Sequence, residues 1–278
     1  MENRVKITLE NHVAHVQLVR GDKMNALDAE MIEAIIEAGE RLKTMDGLRA
    51  VVLSGEGKAF CAGLDMGNFA KMAGGDNAGV TDGGSRQLLA ERTHGLANRP
   101  QKVAFTWREL EVPVIAAAQG FALGGGFQIF MGADMRYAAP GTKFSIMESR
   151  WGLIPDMGTT HVMTRVARED IVKELALTAR IFEADEAYEH GFLTRVCENP
   201  VEAALDTAAA IASRNPEAVR GTKRLFNEPA DRFVADTLML ESVLQDEIIG
   251  FPNQVEAVKA EMEGRAPVYE DVKPKAAE

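Results

Sequence analysis

The sequence predicts an α/β fold, in which buried strands and helices alternate along the chain. Short apolar runs at residues 49–54 and 112–118 end in small residues and glycine, and a segment of helical or glycine-rich character follows each. Strand, loop and helix repeated in this order build a layered core. The chain has 278 residues, 46% of them hydrophobic, which is enough apolar material for one such core.

The first part of the chain predicts a strand pair, a helix and a third strand. Apolar and polar residues alternate from Val5 to Leu9 and again up to Leu18, with a short turn between the two runs. Asp28 is a residue type that caps helices, and the apolar spacing after it predicts a helix over residues 29–45. The run at 49–54 predicts the third strand.

The middle of the chain predicts a loop, a long helix and a buried strand. Residues 67–86 are rich in glycine and polar side chains, which predicts a mobile loop. A helix is predicted from about Gln87 through Leu110, before the strand at 112–118. The predicted elements that follow are a helix at 127–132 and short strands at 135–138 and 143–147.

From Pro200 onward the pattern is helical, with predicted helices at 201–214, 217–226, 231–249 and 253–263. The third of them carries more apolar surface than a lone helix can hide, which predicts packing on the core or on another subunit. These patterns divide the chain into an α/β core at 1–199, a helical region at 200–265 and a tail at 266–278 that is predicted to be disordered.

Composition argues against several classes of function. The net charge of −11 disfavours nucleic-acid binding, which requires a basic face. No apolar run approaches the length of a membrane span and the N-terminus lacks the pattern of a signal peptide, so we expect a cytoplasmic protein without membrane contact. Cys61 and Cys197 are the two cysteines, and the five histidines are scattered, so neither a disulfide framework nor a metal site is predicted.

Three consecutive glycines, Gly124 to Gly126, stand between the buried strand and the helix after it. Glycine has no Cβ, so a ligand can approach the backbone N–H groups closely. Such donors suit a carbonyl oxygen that gains negative charge during a reaction. A tight turn without a ligand explains the same glycines equally well.

A second strand-to-loop motif accompanies the glycines, and the ordered set resembles the crotonase (enoyl-CoA hydratase/isomerase) superfamily. The motifs are KAFCAGLD at 58–65 and GFALGGG at 120–126, with further matches at 25–27, at Glu148 with 152–155, and at 184–187 with 191–193. The resemblance runs from about residue 5 to residue 265. It implies a spiral of ββα units, a C-terminal helical trimerisation region, and assembly as a homotrimer or a dimer of trimers.

The resemblance also implies an acyl-CoA substrate and no cofactor beyond its coenzyme A. The thioester oxygen would be held by the backbone N–H groups of Leu64 and Gly125, which act as an oxyanion hole. Because coenzyme A is polyanionic and this chain is acidic, Arg20, Lys23 and Lys58 are candidates for its phosphates. The residues expected to border the thioester and coenzyme A are Met24, Ala26, Leu27, Ala62, Gly63, Asp65, Met66, Gly124 and Trp151.

Glu148 is the chief acid/base candidate. It follows a predicted strand, and the neighbouring Met147 and Trp151 would desolvate its carboxylate and raise its pKa. An ion pair with Arg150 or with another neighbouring cation is the alternative explanation for this glutamate.

The chain departs from the hydratase pattern at Gln128, where enoyl-CoA hydratases place a second glutamate. A carboxamide can orient water or substrate but does not transfer a proton. Asp156, eight residues after Glu148, is a possible second acid/base group, and this pair resembles the dienoyl-CoA isomerase branch, which has an aspartate at the position of Gln128. The alternative for Asp156 is an N-cap of a helix that begins near Gly158.

The predicted function is that of an enoyl-CoA hydratase/isomerase, which shifts or hydrates a double bond through an oxyanion-stabilised enolate. The alternative is a non-catalytic acyl-CoA-binding protein that keeps the oxyanion hole.

Overall fold

The computed structural model describes residues 3–73, 88–231 and 234–268, which form two sheets covered by helices. The strands are β1 (Val5–Glu10), β2 (Val13–Leu18), β3 (Ala50–Gly55), β4 (Val114–Ala118), β5 (Phe121–Leu123), β6 (Met135–Ala138), β7 (Lys143–Ser145), β8 (Phe182–Glu183) and β9 (Arg195–Val196). The helices of the core are α1 (Ala29–Lys43), α2 (Met66–Ala73), α3 (Arg99–Glu109), α4 (Gly125–Met131), α5 (Thr160–Val166), α6 (Glu169–Thr178) and α7 (Ala184–Glu189). Those of the C-terminal region are α8 (Pro200–Ala212), α9 (Pro216–Asp231), α10 (Val234–Asp246) and α11 (Pro252–Glu263).

The larger sheet has the strand order β1-β2-β3-β4-β6-β9. The first pair is antiparallel and the following pairs are parallel. Every residue of β3 and β4 is buried, because helices cover both faces of the parallel strands. One face packs on α8 through Ala204, Ala208 and Ala212, and the other face belongs to the main core. The C-terminal helical region therefore begins as a layer of this core.

The smaller sheet has the strand order β5-β7-β8. Its first strand, β5, follows directly after β4 of the larger sheet in the chain. Single bridges pair Cys61 with Ala122 and Leu27 with Leu64. The segments that follow β2, β3 and β4 in the chain therefore lie side by side. The ring of Phe127 on α4 meets those of Phe144, Phe182 and Phe192 with centroids 5.6 to 5.8 Å apart. This aromatic cluster holds the glycine loop and its helix against the smaller sheet, as edge-on ring contacts do.

The predicted helix from Gln87 to Leu110 is too long. Helix α3 begins at Arg99, and residues 88–98 are irregular, while Gln87 lies outside the described residues. Asn98 forms a capping box: its Oδ1 accepts the N–H of Gln101 at 2.9 Å, and the side chain of Gln101 accepts the N–H of Asn98 at 3.0 Å. This reciprocal cap, with Pro100 in the first turn, starts the helix there.

The predicted loop at 67–86 is wrong over its first part, because α2 continues to Ala73 and the remainder, 74–86, lies outside the described residues. Phe69 and Met72 bury one face of this helix, because their side chains pack against Ile249 and Val258. The strand predicted at 143–147 ends at Ser145.

The four C-terminal helices occur where the sequence predicts them, within a few residues at each end. Several large apolar side chains on α9 and α10 are exposed in the single chain, among them Leu225, Phe226 and Leu240. The assignment of this region to contacts between subunits stays a prediction. Most of the tail that was predicted to be disordered, residues 269–278, lies outside the described residues. None of the helices in the described part of the chain combines the length and the hydrophobicity needed to cross a bilayer.

Candidate active site

A cavity of about 160 Å³ lies between the loop after β3, the glycine loop, the turn before α5 and helix α10. The glycine loop and the backbone of residues 62–64 form one side of it. Glu148, Asp156 and Gln245 contribute its polar side chains. The larger apolar residues of its wall are Leu27, Ile32, Leu64, Met66, Phe69, Met72, Leu123, Met147, Trp151, Leu153, Met157 and Ile249.

Glycine is required on both backbone sides of the cavity. Gly63 has φ of +86°, and a Cβ there would lie 2.6 Å from the carbonyl oxygen of Leu123. Gly124 has φ of +50°, which also favours glycine. At Gly125 the obstacle is steric, because a Cβ would lie 2.7 Å from the sulfur of Met157 and 3.0 Å from Leu27. The glycines thus form a tight turn and also let two loops approach each other closely.

Leu64 and Gly125 lie on the two sides of this junction. Within the described residues neither of their backbone N–H groups donates a hydrogen bond to a protein acceptor, and both residues line the cavity. Leu64 is held in an extended segment by two neighbouring bonds, from the N–H of Leu27 to the oxygen of Gly63 and from the N–H of Asp65 to the oxygen of Leu27. Two fixed and unused backbone donors beside a cavity match the requirement for binding a carbonyl oxygen.

Glu148 is the first residue of a short 3-10 turn, Glu148–Trp151, and is 8% exposed. Its Oε1 accepts a hydrogen bond of 2.6 Å from Nε2 of Gln128, and its buried Oε2 has no partner within the described residues. Burial raises the pKa of this carboxyl group, although the bond from Gln128 partly opposes the shift. The alternative ion pair is wrong, since no cation of the described residues forms a salt bridge with Glu148 and Nε of Arg150 instead donates to Glu261 at 2.6 Å.

Gln128 is fully buried on α4 and does not line the cavity. Its Nε2 donates to Glu148, and its Oε1 accepts from the N–H of Met157 at 2.9 Å and from the hydroxyl of Thr159 at 3.4 Å. The sequence predicted that this amide orients water or substrate. The structure instead uses it to orient Glu148 and to tie that residue to the turn before α5.

Asp156 lies on the turn before α5 and lines the cavity. Its pKa is raised well above the ordinary value, first by burial and then by the negative charges of Glu241 and Glu148. The N-cap alternative is wrong, because α5 begins at Thr160 and has no side-chain cap bond at its start. Two carboxyl groups, one of them bonded by an amide and the other crowded by like charges, therefore share one cavity.

Helix α10 supplies two polar residues that the sequence analysis missed. Oε1 of Gln245 accepts the N–H of Ile154 at 3.1 Å, and Oε2 of Glu241 accepts the N–H of Gly158 at 2.9 Å. Burial raises the pKa of Glu241 to about 7. The signal was in the sequence, since Glu241 and Gln245 are four residues apart and share a helix face with the apolar Leu238.

The remaining predicted residues divide into two groups. Leu27, Ala62, Gly63, Met66, Gly124 and Trp151 line the cavity, whereas Met24, Ala26 and Asp65 do not. Oδ2 of Asp65 accepts a hydrogen bond of 2.7 Å from Arg20, which also lies 3.4 Å from Asp28. These carboxylates already neutralise Arg20, which weakens its candidacy for a phosphate.

Two side chains near the cavity, Trp151 and Cys61, are held by packing and hydrogen bonding. The indole of Trp151 stacks on Phe69 with ring centroids 3.9 Å apart, which closes one end of the cavity. The buried thiol of Cys61 donates to the oxygen of Asn25 at 3.1 Å, and burial raises its pKa to about 12. A thiol with so high a pKa is not a nucleophile near neutral pH.

Comparison with known proteins gives consistent matches over nearly the whole chain. The family model for enoyl-CoA hydratase/isomerase matches residues 8–273. The mitochondrial Delta(3,5)-Delta(2,4)-dienoyl-CoA isomerase of Mus musculus is 31% identical over 263 residues, covering 92% of this chain and 78% of that protein. The short-chain-enoyl-CoA hydratase of Clostridium acetobutylicum is 30% identical over 266 residues, covering 95% and 96% respectively. The crystal structure of an enoyl-CoA hydratase/isomerase from Pseudoalteromonas atlantica T6c matches with a TM-score of 0.82 at 26% identity, covering 96% of this chain and 99% of that chain.

Proposed function

The chain belongs to the enoyl-CoA hydratase/isomerase family, and on that premise we propose that it shifts double bonds within the acyl group of a dienoyl-CoA thioester. One observation carries the choice of isomerisation over hydration. Glu148 and Asp156 are the titratable side chains among the described residues that line the cavity, and the position of a second hydratase glutamate is occupied by a buried amide. The dienoyl-CoA isomerase of Mus musculus supports the same choice.

The first half of the reaction creates negative charge on the thioester. The carbonyl oxygen accepts hydrogen bonds from the N–H groups of Leu64 and Gly125. Oε2 of Glu148 then takes a proton from the carbon next to the carbonyl, and the electron pair of that C–H bond moves toward the oxygen. The two backbone donors stabilise the resulting dienolate without rearrangement, which is the main electrostatic contribution available here.

The second half of the reaction removes the negative charge from the thioester oxygen and completes the shift of the double bonds. Burial and neighbouring carboxylates raise the pKa of Asp156 well above its ordinary value, so Asp156 is the acid of this step. It donates its proton to the far carbon of the conjugated system, and the electron pair of the dienolate forms that C–H bond as the carbonyl is restored. The product is an isomer of the substrate. Glu148 then releases its proton to solvent and Asp156 takes one up.

The isotopic composition of the product tests this proposal. We expect a 3,5-dienoyl-CoA incubated with the protein in D₂O to give a conjugated 2,4-dienoyl-CoA with one deuterium at the far carbon, because that proton comes from a solvent-exchanged acid. Mass spectrometry and absorbance follow both changes. A product heavier by one water would favour hydration, and a bound thioester without exchange or conversion would favour the acyl-CoA-binding alternative. Either result overturns the proposal.

Gln128→Glu is expected to move the acidic limb of the rate profile to higher pH. The new carboxylate would lie against Oε1 of Glu148, now 2.6 Å from the amide nitrogen, and two adjacent negative charges raise the pKa of the base. Glu148 must be ionised to act, so the rate falls at neutral pH and recovers at alkaline pH. Thr159→Val is the control, since it removes a bond to Gln128 and adds no charge. An acidic limb that stays in place would contradict the assignment of Glu148 as the base.

A further inference from the structure

The carboxylate of Glu241 reaches the active-site turn from the C-terminal helical region. Glu241 is 5% exposed on α10. Its Oε2 accepts the N–H of Gly158 at 2.9 Å and Nε2 of Gln101 at 3.2 Å, and its Oε1 accepts the hydroxyl of Thr160. All three donors are neutral groups, and no lysine or arginine of the described residues forms a salt bridge with this carboxylate. A buried carboxylate satisfied in this way keeps its charge only at a cost.

Two of the three contacts fix the turn that carries Asp156. Gly158 and Thr160 follow Asp156 by two and four residues, so Glu241 bonds to the backbone and to a side chain immediately after it. Gly158 has φ of +82°, and a Cβ there would lie 3.2 Å from Leu238 on the same helix as Glu241. The backbone of the turn therefore packs against side chains of α10, which leaves Asp156 little freedom to move away from the carboxylate of Glu241.

The charged groups around Asp156 are mostly of one sign. Glu241, Glu148 and Asp246 each disfavour its ionised form, in that order of effect. Arg92 is a cation near Glu241, and it donates to the side-chain oxygen of Gln101 at 3.1 Å and to the hydroxyl of Ser242 at 2.7 Å. The charges that act on Asp156 are therefore carboxylates, and Arg92 bonds to neighbours of Glu241.

We propose that Glu241 is a positioning residue for Asp156: it fixes the turn, and its negative charge keeps a proton on Asp156. The role of that proton in turnover rests on the proposed function, whereas the effect of Glu241 on Asp156 does not. Like charges in a buried cluster titrate together, and the group with the least compensation holds the proton. Burial raises the pKa of Glu241 to about 7, but Glu241 has three hydrogen-bond donors and Asp156 none from another side chain of the described residues. Glu241 therefore ionises first, and the remaining proton resides on Asp156.

Titration of Asp156 in Glu241→Gln tests the proposal directly. The amide keeps the volume and the acceptor for Gly158 but removes the charge. We expect carboxyl ¹³C NMR, with the Asp156 signal identified by its loss in Asp156→Asn, to show the pKa of Asp156 lowered by about one unit or more. The exposed Glu247, just after α10, supplies the matched control, and Glu247→Gln should leave that pKa in place.

A second variant separates charge from shape. Glu241→Asp keeps the charge and shortens the side chain, so the pKa of Asp156 should stay closer to the wild-type value than in Glu241→Gln. The reverse order, or an unchanged titration in Glu241→Gln, would overturn the proposal.

The rate profile distinguishes this inference from the proposed function. Asp156 acts as an acid only when protonated, so a lower pKa moves the alkaline limb of kcat to lower pH in Glu241→Gln, with KM within about twofold of wild type. If the NMR titration shifts and the alkaline limb does not, the proposed function fails and the inference about Glu241 stands. If neither moves, the inference fails.

Discussion

Replacing Glu148 with glutamine is expected to lower turnover by about two to four orders of magnitude, the usual contribution of general acid–base catalysis. The amide is nearly isosteric, and its oxygen can still accept the bond from Gln128 that Oε1 accepts in the native protein. What disappears is the unpartnered carboxylate oxygen Oε2, which we propose takes the proton. The oxyanion donors are untouched, so the affinity for an acyl-CoA should change by no more than a few-fold.

Steady-state kinetics and calorimetric binding of a non-reactive acyl-CoA measure the two effects separately. Glu261→Gln is a suitable control, because it removes a glutamate that pairs with Arg150 outside the cavity. Turnover within about threefold of wild type in Glu148→Gln would remove Glu148 from the mechanism, since no general base contributes so little.

Replacing Asp156 with asparagine is expected to lower isomerisation by a similar two to four orders of magnitude but to spare the first proton transfer. Glu148 and the backbone donors remain, so the protein should still exchange the proton next to the thioester carbonyl with D₂O. The asparagine cannot protonate the far carbon, and the dienolate returns to substrate. ¹H NMR of the recovered thioester reports the exchange, while absorbance reports conversion. Equal loss of both would assign Asp156 to binding or folding instead.

The same substitution should stabilise the fold at neutral and alkaline pH. The pKa of Asp156 is raised in the folded chain, so the folded state binds more protons than the unfolded state between the two pKa values. The free energy of unfolding therefore falls as pH rises through that window. Asparagine has no charge to bury and escapes this loss. We expect a higher Tm for Asp156→Asn than for wild type at pH 8 and a smaller difference at pH 5, and a lower Tm at both would contradict the raised pKa.

Local patterns explain most of the fold that the sequence predicts. The cap at Asp28 starts α1 as expected, with its Oδ1 accepting the N–H of Met31 at 2.8 Å. The start of α3 was missed because residues 88–98 have the composition of a helix, and the capping box at Asn98 outweighs it. Helix α2 was missed for another reason, since Phe69 and Met72 gain their burial from Ile249 and Val258, which are far away in the chain.

The sequence by itself determined the family and the α/β core, and its resemblance to that family predicted the roles of Leu64, Gly125, Glu148 and Asp156, all of which line the cavity. Each motif behind these predictions consists of residues close together in the chain, where glycine content and spacing are visible. Only the tertiary structure decided that Gln128 faces Glu148 instead of the cavity, and that Glu241 lies under the turn after Asp156. Those contacts join residues 20 and 83 positions apart, and buried polar side chains take the partners that packing brings to them.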